Sequence, residues 1–172
     1  MPIFGVRRSA TCARGIVGAA LMTMICGAAV PAAADEITIT IESLQALDRI
    51  DVGGGRADFF AQVTIDGTVY RSPRIRKADV VRPNWTFSKH VRPGTYDVKL
   101  EIFDKDVFSK DDQIDINRLD AKRDLDFRVR TRSCMVLDFA EPYSCRGRGA
   151  TITRAGREKK SAEIRFTVDT RR

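Results

Sequence analysis

From Ile37 onward the chain alternates apolar and polar residues at period two, and this pattern limits the possible folds more than any other feature. The segment ITITIESL sets Ile37, Ile39 and Ile41 on one side and threonines on the other. In FFAQVTIDGTVY, Phe59, Ala61, Val63 and Ile65 share a face, and Asp66-Gly67 is a hairpin signal. YDVKLEIF turns Tyr96, Val98, Leu100 and Ile102 inward after a Pro93-Gly94 turn, and AEIRFTVD does the same with Ala162, Ile164, Phe166 and Val168. Shorter candidate strands are Trp85 to Lys89, Gln113 to Ile116, Asp126 to Arg130, Met135 to Phe139 and Ala150 to Thr153. No window of a dozen residues makes an amphipathic helix; at most a turn or two fits between Asn117 and Asp124. Short strands separated by turn signals in a chain of this size predict an all-β fold, an antiparallel β-sandwich of about eight strands. Such a fold gathers its loops at two ends and does not by itself define a function.

The pattern does not extend to the start of the chain. Arg7, Arg8 and Arg14 precede GIVGAALMTMICGAAV, a run without a charge, and Ala32-Ala33-Ala34 follows before Asp35. A basic start, a short apolar run and small residues describe a secretory signal peptide over residues 1–34, cleaved near Ala34. The other reading is a retained membrane anchor, since the run approaches spanning length when Pro31 to Ala34 are added. Cleavage leaves one domain, 35–172, in the periplasm or secreted, by an export route the residues leave open. It also takes three arginines from the formal charge of +7, leaving +4. Of four cysteines, Cys134 and Cys145 remain. A pair in an exported chain reads as one disulfide, or as two separate thiols. They lie in a stretch, 119–156, expected as an insertion before the final strand.

Five of the fourteen residues in IFDKDVFSKDDQID, Ile102 to Asp115, are aspartates. Carboxylates so crowded are either spread in solvent or held by a cation. An EF-hand is excluded, because counting from Asp104 puts Phe108 at position five, Ser109 at six and Asp115 at twelve. A second acidic loop, LDRIDVGGGRADFF, carries Asp51 and Asp58 around a glycine-rich turn. If both loops lie at one end of a sandwich, Asp51, Asp58, Asp104, Asp106 and Asp112 can converge. Calcium then fits best, as a hard cation taking six to eight oxygens in flexible geometry. A carboxylate-only set with one histidine in the chain argues against zinc.

These residues resemble the C2 domain family, calcium-dependent phospholipid-binding β-sandwiches. Leu47, Asp51, Gly53-Gly54 and Ala57-Asp58-Phe59-Phe60 stand where that family's first loop has Leu, Asp, a glycine turn and Ser-Asp-Pro-Tyr. Arg82-Pro83-Asn84-Trp85 echoes its lead into the next strand, and Asp104 to Asp112 matches its third loop without a gap. The likeness spans roughly Glu36 to Val168. It departs in one extra residue between Asp51 and Asp58, and in Asp115 where the family usually has glycine. The resemblance implies calcium ligation by Asp51, Asp58, Asp104, Asp106 and Asp112, with Ser109 as an accessory ligand. It also implies membrane contact through Val52 and Phe108 at the loop tips.

Enzymatic chemistry is not expected. His90 has no nucleophile or carboxylate partner in the sequence, and Gly53-Gly54-Gly55 lacks the Lys-Ser/Thr and helix of a phosphate loop. Arg128, Arg130 and Arg132 would share a strand face as a cationic stripe suited to anionic headgroups, or simply a solvated face. Nucleic acid is a poor partner, because aromatics are not interleaved with the charges. The expectation is an exported, monomeric, calcium-binding module that docks on an anionic membrane surface or a protein. Its rival is a calcium-independent interaction or structural module of the cell envelope.

Overall fold

The computed structural model describes residues 34–50, 55–106, 110–119 and 122–172, so the expected signal peptide at 1–34 lies, but for Ala34, outside the described residues. Among these, the chain is built from strands and turns, with no helix. One sheet centres on β1 (Asp35–Ala46), which pairs along its length with β12 (Ala162–Arg171); β12 in turn pairs with β11 (Ala150–Ala155). The other edge of β1 is shared by β5 (Trp85–Val91) and the two-residue β4 (Val80–Val81). The second sheet centres on β6 (Thr95–Asp104), with β2 (Phe59–Ile65) and β3 (Thr68–Arg71) on one side. Its other side holds β8 (Leu125–Arg130), β9 (Met135–Leu137) and β10 (Tyr143–Ser144). Where β8 stops, β7 (Asp112–Ile114) takes over the edge of β6, facing Ile102 to Asp104. Every pairing between these strands is antiparallel.

The period-two pattern sets the interior. Ile37, Ile39 and Ile41 of β1 are fully buried, as are Val63, Ile65, Leu100 and Ile102 across the core. After Ile41 the register of β1 against β12 slips by a bulge, which is why the next buried residue is Leu44. Phe127 of β8 stacks on Phe166 of β12 at 5.7 Å and so joins the two sheets. The buried hydrophobic cluster runs from Ile37 to Val168, so residues 35–172 hold a complete core among the described residues. At roughly 25 cal/mol per Å² of apolar surface removed from water, such a core is the main source of stability.

Asp66 and Gly67 both take positive φ, 46° and 73°, giving the tight β2–β3 hairpin expected from their sequence. Tyr96, expected inward, is only half-buried; its hydroxyl donates to the Arg92 carbonyl at 2.6 Å and braces the corner from β5 to β6. The stretch 119–156 supplies β8 and β11, one to each sheet, and β9–β10 beyond them. Cys134 and Cys145 form a disulfide, tying the β8–β9 turn to the end of β10. The twelve strands exceed the expected eight in part because β4 and β10, two residues each, carry no alternation to read.

Candidate functional site

Three loops meet at one end of the sandwich because the strands bearing them end in register. β1 finishes at Ala46 opposite Ala162, where β12 begins, while β6 finishes at Asp104 opposite Phe59, where β2 begins. The Lys105 N–H donates to the Asp58 carbonyl at 3.0 Å, and the Leu47 N–H to the Ser161 carbonyl at 2.9 Å. A bridge between Asp115 and Ser161 then joins the two sheets at this end. The described residues of 47–58, 105–111 and 156–161 therefore lie at one end.

The expected ligands differ in what they do there. Asp104 is 3 % exposed, and its Oδ1 accepts the Asp58 N–H at 2.6 Å, so this carboxylate pins the entry to β2. Asp58 is half-buried; its Oδ1 accepts the Lys77 N–H at 2.9 Å and its Oδ2 lies 3.5 Å from an Arg74 guanidinium nitrogen. Asp112 faces Asp104 across β6–β7, and its Oδ2 carries the Lys160 ammonium from the β11–β12 loop. Asp106 lies two residues beyond the end of β6, half-buried, and makes no hydrogen bond or ion pair among the described residues. Asp51, Val52 and Phe108 lie outside the described residues, as does Ser109.

Calcium asks for six to eight oxygens at about 2.3–2.6 Å. The described donor set does not meet that requirement: no group of three or more acidic, histidine or cysteine side chains stands close enough to hold an ion among the described residues. Asp58 and Asp112 are already met by cations of the chain, and one oxygen of Asp104 is committed to backbone. Calcium is accordingly assigned no step here.

Several residues that organise this end were not singled out by sequence reasoning. Asp48 accepts the Lys160 and Ser161 N–H groups, both at 2.9 Å, and so fixes the loop that carries Lys160. Asp115, 1 % exposed, accepts from the backbone of Asn117, Arg157 and Glu158 at 2.7–2.9 Å. Its substitution for glycine in the family pattern was the one available signal. Gly156 passes so close to the Asp115 carbonyl that an added Cβ would collide with its oxygen, which explains a glycine there. Lys105 pairs with Asp111 at 2.8 Å, placing a further cation within the third loop.

The cationic stripe is shorter than its spacing suggests. Arg128 makes two hydrogen bonds of 2.8 Å to Asp138, which hold that carboxyl below the ordinary aspartate range and neutralise the arginine. Arg130 remains exposed at the end of β8, and Arg132 sits on the turn beyond it.

The C2 domain family model matches residues 35–132, and the chain belongs to the C2 domain family. Its matched residues form a C2-type module, a domain class of lipid or protein interaction. No curated protein matches its sequence significantly. Among solved structures, a segment of extended-synaptotagmin 2 holding its SMP domain and two C2 domains aligns at TM-score 0.53 and 17 % identity, covering 79 % of this chain and 27 % of that one. A structure titled only as a C2 domain aligns at TM-score 0.50 and 13 % identity, over 78 % of this chain and 98 % of its own. Human GIVD cytosolic phospholipase A2 aligns at TM-score 0.50 and 12 % identity, over 81 % of this chain. This chain spans only 16 % of that phospholipase, and at such identities the likeness is one of fold.

Proposed function

We propose that this C2 domain docks on its target without calcium, its acidic loop end being held together by the chain's own cations. The observation that carries this reading is the Lys160 ammonium on the Asp112 carboxylate, reinforced by Arg74 and the Lys77 N–H on Asp58. An incoming calcium ion would have to displace both side chains and draw the carboxylates together, and each change subtracts from its binding energy. The target is an anionic phospholipid surface or a protein.

A second reading keeps calcium as the cofactor, with Asp51, Asp58, Asp104, Asp106 and Asp112 gathering around it and Val52 and Phe108 meeting the bilayer. One observation favours it: Asp106 has no partner among the described residues. A thermal melt of residues 35–172 in millimolar calcium, in magnesium and in excess chelator separates the two, because a ligand that binds only the native state raises Tm. The first reading expects one melting temperature in all three. A rise of several degrees specific to calcium contradicts it.

The same proposal has the chain outside the reducing cytoplasm, exported to the periplasm or beyond after cleavage near Ala34. The basic and apolar start of the sequence supports this, as does the Cys134–Cys145 disulfide. Intact-mass measurement of the chain recovered from its native compartment should give a species starting at Asp35. A species retaining Met1 contradicts cleavage.

A further inference from the structure

The end opposite the acidic loops is dominated by arginines. There β5 turns into β6 through Arg92–Gly94, β8 turns into β9 through Thr131–Cys134, β10 leads to β11 through 145–149, and β12 finishes. The Thr131 N–H donates to the Gly94 carbonyl at 2.9 Å, and the Gly94 N–H donates to the Thr131 hydroxyl at 3.0 Å. The Arg146 Nε donates to the Ser133 carbonyl at 3.1 Å, and the disulfide fastens Cys134 to Cys145. These links hold the arginines on braced backbone, so presenting them together costs little conformational entropy.

Arg92, Arg130, Arg132, Arg146, Arg148 and Arg171 are all exposed at this end. Only Arg171 has an acidic partner, Asp169 at 3.3 Å; the other five make no ion pair among the described residues. On the hairpin side, Asp66 is engaged by Lys89 at 2.9 Å and does not offset them. Leu47, Val69, Val80 and Leu119, the exposed large apolar residues among the described residues, lie on none of these loops. Binding here would therefore be by charge rather than insertion. Guanidinium groups suit phosphate oxygens, which they can meet through two parallel hydrogen bonds.

The geometry points to this arginine pole as the face that docks on an anionic phospholipid bilayer, with the acidic loops turned away from it. The make-up of the pole favours lipid over an acidic protein. Its unpaired arginines are spread over three loops from both sheets with none of the exposed large apolar residues among the described residues on those loops, whereas a protein interface has an apolar core. The inference rests on the calcium-independent reading only in expecting attachment in the presence of chelator.

The test is cosedimentation of residues 35–172 with vesicles of phosphatidylcholine alone or with about one-third phosphatidylglycerol, in excess chelator and at two salt concentrations. The protein should pellet with the anionic vesicles at low salt, much less at high salt, and not with phosphatidylcholine alone. Each arginine near the surface contributes about fivefold, so Arg130→Gln with Arg132→Gln and Arg148→Gln should weaken binding about a hundredfold. Tm of that variant should be unchanged. Lys105→Gln with Lys110→Gln, at the other end, should bind as the wild type does. Equal binding by the wild type and the arginine variant overturns the inference, as does loss of binding in the lysine variant. Failure of the wild type to pellet in either calcium or chelator also overturns it and hands the pole to an acidic protein. Binding that needs calcium yet still fails in the arginine variant overturns the calcium-independent reading and leaves this face in place.

Discussion

Asp115 and Lys160 together decide what the acidic end can do. Asp115 gathers three N–H groups around one buried carboxylate, and its neighbour Asp48 fixes the backbone from which Lys160 reaches Asp112. Hydrogen bonds to an ionised acceptor contribute about 1.5–3 kcal/mol each, so Asp115→Ala should lower unfolding free energy by about 3 kcal/mol or more, measured by urea titration. Lys160→Gln should cost far less, at most about 1 kcal/mol, because both partners of that pair are partly exposed. Its main effect should be a gain: Asp112 is released, and calcium should raise Tm of the variant but not of the wild type. Identical responses of the two proteins would leave Lys160 without the role given to it here. In sequence, Asp115 showed only as a departure from the family's glycine, and Lys160 did not show at all. Lys160 lies far along the chain from Asp112, and no periodicity links them. What was legible was the crowding of aspartates, which calls for either solvent or cations and does not say where cations would come from.

At the scale of elements, alternation located the long strands well and the short ones poorly. β1, β2, β6 and β12 each carry a run of alternating residues, whereas β4 and β10 have two residues and no period to read. The bulge after Ile41 was likewise silent in sequence, yet it has a consequence. It leaves Glu42 at the slip in register, where Thr167 donates a hydrogen bond to its carboxylate and Arg165 pairs with it at 2.7 Å. The Thr167 hydroxyl foremost, and then Arg165, hold this carboxyl below the ordinary glutamate range against an opposing effect of burial. A depressed folded-state pKa contributes stability that is full above the unfolded value and is lost as pH falls. Between about pH 5 and pH 3 the wild type should therefore lose more Tm than Glu42→Gln does. Equal losses would mean that solvent screens the pair completely. The disulfide closes a short loop between β8 and β10, and replacing Cys134 and Cys145 with serine should cost about 3 kcal/mol. A chemical denaturation curve that does not move would contradict that.

For the molecule as a whole, two ends of one sandwich carry opposite chemistry. Acidic loops close on the chain's own lysine and arginine at one end, and exposed arginines stand without acidic partners among the described residues at the other. The sandwich was legible because period-two burial leaves few other ways to bury one face of so many strands. The division into poles was not, because it depends on which strand ends meet. Sequence spacing put Arg128 with Arg130 in one stripe, whereas the fold gives Arg128 to Asp138 and sets Arg130 beside loops from both sheets. The central claim is that this C2 domain does not need calcium, and calorimetric titration of calcium into residues 35–172 tests it most directly. No saturable heat is expected up to millimolar calcium. A saturable isotherm that disappears in Asp106→Asn with Asp112→Asn would contradict the claim and return the acidic end to calcium.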